Sequence, residues 1–197
     1  MYQFSLPAAL SSIMVAPAFW VIRTLLLENT GFNELATFEA ADQWRTMILF
    51  IPTAISQIVL PILTNIKGQT NSYWKVLKYN ILINSGVAAV LAIIISIGSP
   101  VIMNLYGTNY GLNYPTLIVL ALSTIFTASA NVVGIAITSR GKMWIAFGFN
   151  LCWMLILIIF TSLFLSMGWG ATGVSFSILL SYCIHSIIQF AYLKHIK

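Results

Sequence analysis

Residues 79–139 and 143–193 contain no Asp, Glu, Lys or Arg, and Ile, Leu, Val and Ala dominate both stretches. A soluble domain needs charged side chains over much of its surface, so runs of this length point to a hydrocarbon environment. A helix crosses the bilayer core with about 20 mostly apolar residues. Polar, Gly and Pro breakers divide the chain into six such segments, at about 5–27, 34–66, 76–106, 116–139, 143–167 and 171–193. The segments are too long for strands and lack strict alternation, which predicts helices over a barrel. The pattern therefore predicts an all-α integral membrane protein, a single six-transmembrane-helix bundle.

The connections read as follows. Residues 28–33 form a polar link, residues 67–78 a basic loop with Tyr73 and Trp74 as interface aromatics, and residues 107–115 a turn-rich segment. Arg140-Gly141-Lys142 and Gly168-Trp169-Gly170 are tight turns. Pro7 falls in the first turn of the first segment, and Pro17 is a kink candidate. Pro52 and Pro61 lie within the second segment, and Gly98-Ser99-Pro100 is expected to bend or unwind the end of the third.

Composition agrees: the chain is 59% hydrophobic and 7% charged, with a mean hydropathy of +0.94. A net charge of +5 raises the question of nucleic acid. The basic residues, however, sit between apolar runs and not along one face, so topology explains them and nucleic-acid binding is set aside. With helices alternating in direction, Lys67, Lys75, Lys78, Arg140, Lys142, Lys194 and Lys197 all fall at the end of the bundle that holds the N-terminus. Glu28 and Glu34 fall at the other. Basic residues accumulate on the cytoplasmic side, which predicts that both termini are cytoplasmic. Cys152 and Cys183 lie inside apolar runs without a CxxC partner and read as small core residues. The start lacks the basic region of a cleavable signal peptide.

Polarity within the spans concentrates in the first two. Glu39, Asp42 and Arg45 recur every third residue, near one helical face, and Arg23 lies near the far end of the first span. Two readings are open. The charges belong either to a solvated extension of the second helix or to a polar face lining a water-filled cavity, paired with Arg23. Arg23 alone is also able to snorkel to the interface. Asn80, Asn84, Asn131, Asn150 and Gln57 read mainly as interhelical hydrogen-bonding groups, with some open to a substrate path. His185 reads as a structural histidine. Gly173-Val174-Ser175-Phe176 lacks the second glycine of a serine-nucleophile turn, and no HExxH or phosphate-binding loop occurs. No catalytic residue, cofactor or metal is expected.

Residues 37–66, TFEAADQWRTMILFIPTAISQIVLPILTNI, carry a family resemblance. They are similar to a segment of polysaccharide and O-antigen flippases: an aromatic, paired alanines and a glutamine, then two apolar stretches built on proline. Here these are Phe38, Ala40, Ala41 and Gln43, then Ile51, Pro52 and Ala54, then Leu60, Pro61 and Ile62. Leu6-Pro7, Leu105-Tyr106-Gly107, Ser139-Arg140-Gly141-Lys142 and the run Gly168-Trp169-Gly170-Ala171-Thr172-Gly173 follow in the family's order. Almost the whole chain resembles the C-terminal six-helix bundle of the multidrug/oligosaccharidyl-lipid/polysaccharide exporter superfamily, one lobe of a MATE-like transporter.

That resemblance implies two six-helix lobes around a central cavity, working by alternating access. It implies a multi-pass protein of the bacterial cytoplasmic membrane that moves a lipid-linked oligosaccharide or polysaccharide repeat unit, as in lipopolysaccharide or O-antigen assembly. Membrane lipids and an N-terminal lobe, in the same or a separate chain, are the implied partners. The chain is then a C-terminal fragment or a half-transporter. Arg23 and Arg45 are the candidate contacts for diphosphate or acidic sugar, with Glu39 and Asp42 beside them. An ion-coupled multidrug or metabolite antiporter with Glu39 or Asp42 as the cation site, and a non-transporting assembly subunit, remain as alternatives.

Overall fold

The computed structural model describes residues 10, 14–66, 70–107 and 110–195, without the side chains of Leu60 and Thr70. Most of the first half of the first expected span, the Leu6-Pro7 pair, Lys67 and Lys197 lie outside the described residues. Among the described residues from 14 onward, six α-helices follow in order: α1 (Val15–Thr30), α2 (Phe32–Asn65), α3 (Thr70–Leu105), α4 (Tyr114–Ser139), α5 (Met143–Ser166) and α6 (Gly170–His195). A short 3-10 turn at Gly111–Asn113 precedes α4. Helices α2 to α6 are long and apolar enough to cross a membrane. The fold class expected from the sequence, an all-α membrane bundle, is the one observed.

Two expected connections are not loops. Residues 28–33 contain a single non-helical residue, Gly31, whose φ of 88° and ψ of −178° belong to backbone space open to glycine alone. Its N–H still bonds to the Leu27 carbonyl at 2.9 Å, so α1 ends and α2 begins within one residue. Residues 70–78 are the first turns of α3. Polarity there belongs to a helix, not to an irregular chain. The buried stripe Tyr73, Leu77, Asn80 and Asn84, at steps of three and four, shows why it stays helical. Tyr73 is accordingly an anchor inside the bundle: its hydroxyl bonds to the Ala136 carbonyl at 3.0 Å and lies 3.0 Å from Ser139 Oγ.

Helix α3 also runs unbroken through Gly98-Ser99-Pro100. Proline has no N–H for the carbonyl four residues back, which here belongs to Ser96. Ser99 Oγ donates to that carbonyl at 2.8 Å, which supplies the missing donor and lets the helix continue.

Packing separates central from peripheral helices. In the most apolar window of each, 61% of residues are buried in the α4 region and 50% in α6, against 17% in α3 and in α5. The central pair is rich in small side chains, such as Thr124, Ala128 and Ala136 in α4 and Ala171, Ser177 and Ser181 in α6, all buried. Small residues allow close helix approach where lipid tails remove any hydrophobic drive between helices. Cys152 is exposed and Cys183 half-buried, so neither is the core residue expected.

The bundle has two chemically different ends. At one, Arg140 lies 4.8 Å from the ring centres of both Tyr73 and Trp74, and Lys142 lies 5.5 Å from that of Tyr192. At the other, the Glu34 carboxylate accepts the Ala171 N–H at 2.7 Å, and Thr116 and Thr172 share a 2.8 Å hydrogen bond. Gly170 has φ +50°, and a side chain there would collide with that same carboxylate. The glycine-rich turn before α6 thus allows Glu34 to cap the helix.

Candidate functional site

The hairpin at Gly31 folds α1 back along α2 and brings the four charges of these helices together. Arg23 Nε bonds to Glu39 Oε1, and its Nη2 donates to Asp42 Oδ2 at 2.9 Å. Arg45 Nε donates to the other oxygen, Asp42 Oδ1, at 2.5 Å. Asp42 therefore holds a guanidinium on each of its two carboxylate oxygens. Asp42 and Arg45 are buried, whereas 33% of the Arg23 side chain and 40% of that of Glu39 remain exposed. Phe19, one turn before Arg23, supports both cations: its ring centre lies 5.5 Å from the Arg23 guanidinium carbon and 4.7 Å from that of Arg45.

This cluster lies on the wall of a cavity of about 800 Å³ between α1, α2, α4 and α6. Asp42, Arg45, Leu49, Thr53 and Gln57 line it along α2 at steps of three and four, so one helical face carries the ion pairs and the wall beyond them. Of the four charges, Arg23, Asp42 and Arg45 border this hollow, and Glu39 lies outside its lining. Arg23, Glu39, Asp42 and Arg45 form one connected group, and Arg23, Asp42 and Arg45 touch the cavity. Its formal charge is zero, two guanidiniums against two carboxylates. Among the described residues, the hydrogen bond from Arg45 to a carboxylate is made by Nε.

The uncharged polar residues divide. Asn84 is structural: Ser56 Oγ donates to its Oδ1 at 3.2 Å, and it bonds back to the Asn80 carbonyl at 2.9 Å. Gln57 and Asn131 line the large cavity, while Asn150 lines a smaller adjoining one with His185. Gln43 accepts from the Tyr106 hydroxyl at 3.2 Å, which joins α2 to the end of α3. Sequence reading alone missed Phe19, Tyr182, Trp153 and Gln189 as cavity-wall residues. The four-residue spacing of Phe19 and Arg23 was a usable signal. Nothing comparable marks the other three, which are set by how α5 and α6 pack.

The fold and this site define a class: a helical membrane bundle with paired charges bordering an open hollow, in the shape of one MATE lobe. An outward-facing multidrug resistance MATE family transporter of the MOP superfamily superposes with a TM-score of 0.87 at 16% identity, covering 97% of this chain and 44% of that one. A crystal structure of MATE in complex with MaL6 gives 0.82 at 15% identity, with 97% and 45% covered. In sequence the chain is similar to the EPS I polysaccharide export inner membrane protein EpsE of Ralstonia nicotianae, 25% identical over 191 residues. The protein of the same name from Ralstonia solanacearum is 25% identical over 190 residues. Each match covers 95% of this chain but 44% of the relative, so the chain spans less than half the length of these curated relatives. No family model matches. The relatives are named for polysaccharide export and the solved structures for MATE transport; at 15–16% identity the structural likeness shows the fold.

Proposed function

We propose that this chain forms one six-helix lobe of a transporter that moves lipid-linked oligosaccharide or polysaccharide repeat units across a bacterial cytoplasmic membrane. The observation that carries this reading is the Arg23–Glu39–Asp42–Arg45 cluster on the cavity wall. A flipped sugar head group needs a polar chamber while its lipid tail stays in hydrocarbon. A guanidinium fork suits the phosphate oxygens that join the two parts. Asp42 and Glu39 hold the arginines in place when the cavity is empty, and the linkage engages the terminal nitrogens of Arg45 when it is occupied. The polysaccharide export named for the two relatives supports the substrate class.

A second lobe, in the same or a separate chain, closes the other side of the cavity, and the pair works by alternating access. Both termini face the cytoplasm, because the Arg140, Lys142 and Lys194 end of the bundle is the basic one. The role is transport without catalysis. The ion-coupled antiporter reading ranks second, because Glu39 and Asp42 are already bonded to guanidiniums that would compete with a coupling cation.

The test replaces Arg23 and Arg45 by Ala in the complete transporter. Loss of surface polysaccharide at normal membrane expression is expected; unchanged polysaccharide would remove both arginines as substrate contacts. Transport that instead tracks an ion gradient or a drug, with surface glycan unaffected by deletion, would favour the antiporter. No transport defect on deletion would favour an assembly subunit.

A further inference from the structure

A groove of about 220 Å³ runs between α3 and α6 at the basic end of the bundle. It exists because α3 and α6 each pack on α4 and not closely on each other. Leu77 of α3 and Leu193 of α6 sink into one core cluster with Val133 and Ile137 of α4, and so form the inner wall of the groove. Along α3 the lining falls at Trp74, Leu77, Lys78, Ile81 and Leu82, steps of three and four that trace one helical face. Phe190 adds an aromatic wall from α6. Among the described residues, Lys78 is the one charged member of this lining.

Lys78 stands at a boundary. It is the last charged residue before the uncharged run 79–139, so the groove beyond it, at Ile81 and Leu82, lies along hydrocarbon. Its side chain is exposed and, among the described residues, forms no ion pair. The acidic side chains of this chain cannot supply one. All four, Glu28, Glu34, Glu39 and Asp42, precede α3. Glu34 is engaged at the start of α6, and Glu39 and Asp42 are engaged by arginines. Arg140 lies 4.8 Å from the Trp74 ring centre, which puts a second cation beside the groove wall. A cation at the head of an apolar groove suits a ligand that is anionic at one end and hydrocarbon along the rest. A phospholipid of the surrounding bilayer has that form. A partner helix does not, because with its side chains it is about 10–12 Å across, too wide for a groove of this volume. A single acyl chain is narrower.

We propose that this groove is a binding site for an anionic phospholipid, with the phosphate on Lys78 and one acyl chain along Ile81, Leu82 and Phe190. The groove shares no residue with the arginine-bordered hollow, so the site does not depend on what that hollow carries. Phosphatidylcholine presents the same phosphate with a cation attached and gains less from Lys78. Phosphatidylglycerol leaves the phosphate charge to the lysine. A lipid held there bridges α3 and α6 where they do not pack closely on each other.

The test uses the complete protein that contains this chain, in detergent micelles, with bound lipid counted by native mass spectrometry. The probes are phosphatidylglycerol and phosphatidylcholine with identical acyl chains. The native protein should bind one phosphatidylglycerol roughly fivefold more tightly than phosphatidylcholine, the scale of one lysine near an anionic lipid. Lys78→Gln should bring the two lipids within about twofold of each other. Lys142→Gln removes a cation that lies against Tyr192 at the same end but outside the groove lining, and should leave the preference in place. Leu82→Trp fills the groove from an exposed position and should weaken both lipids. Equal affinity of the native protein for the two lipids overturns the site, because Lys78 then only reaches for water. Equal loss of preference in Lys78→Gln and Lys142→Gln also overturns it, since the basic end would act as a diffuse field. Undiminished binding in Leu82→Trp overturns the acyl-chain path, and full competition by free glycerol phosphate overturns the lipid in favour of a soluble anion. If the native protein binds neither lipid, the site is overturned and the groove is left to a partner chain.

Discussion

Arg23 and Asp42, nineteen positions apart, meet through a 2.9 Å bond from Nη2 to Oδ2, and this contact ties α1 to α2. Asp42 is the centre of the cluster, since its other oxygen receives Arg45. Removing it leaves two neighbouring cations without their shared counter-charge, one of them buried. Asp42→Asn should therefore destabilise the bundle by roughly 3 kcal/mol, the scale of a broken buried pair. Glu39→Gln should cost about 1 kcal/mol or less, because Glu39 is 40% exposed and screened. Unfolding in mixed detergent micelles reads both; equal losses would contradict a central role for Asp42.

Glu34 and Gly170 make a second cross-chain pair whose energies should not add. Glu34→Ala removes the acceptor for the Ala171 N–H and should cost about 1 kcal/mol, as for the loss of a helix cap. Gly170→Ala should cost more: a left-handed backbone adds about 1–2 kcal/mol, and the new methyl collides with the Glu34 carboxylate. In the double variant the collision is absent, so the combined loss should be smaller than the sum. A strictly additive cycle would show that the two residues do not meet.

Ser99 and Pro100 offer a test on one helix. With Pro100 in place, Ser99→Ala strips the Ser96 carbonyl of its hydroxyl donor and should cost about 1 kcal/mol. Pro100→Ala restores the backbone N–H, and in that background Ser99→Ala should be close to neutral. Thermal unfolding of the four proteins is sufficient, and an equal effect of Ser99→Ala in both backgrounds would refute the substitution of one donor for the other.

Orientation is accessible to labelling. In a background with Cys152 and Cys183 replaced by Ala, a cysteine at Lys142 should react with a membrane-impermeant maleimide only after the cells are opened. A cysteine at Gly168 should react in intact cells. The reverse pattern would invert the proposed topology and place the basic end outside.

Much of the architecture was legible in the chain because hydrocarbon imposes a simple rule: every backbone polar group must be satisfied within its own helix. Long uncharged runs, their glycine and proline breakers, and basic clusters such as Arg140-Gly141-Lys142 were enough to predict a six-helix membrane bundle. The three-residue spacing of Glu39, Asp42 and Arg45 also predicted a shared face. Tertiary structure decided which face meets which partner. In a membrane, lipid-facing and core-facing positions are both apolar, so the periodicity that marks the buried side of a soluble helix is largely lost. Hence Tyr73 read as an interface residue although it is buried against α4, and residues 70–78 read as a loop although they are helical. The Glu34 cap on α6, the double bonding of Asp42, and the chamber holding Trp153, His185 and Gln189 each join residues far apart in sequence. No local pattern encodes them; they exist because Gly31 folds α1 onto α2 and because small residues let α4 and α6 pack at the centre.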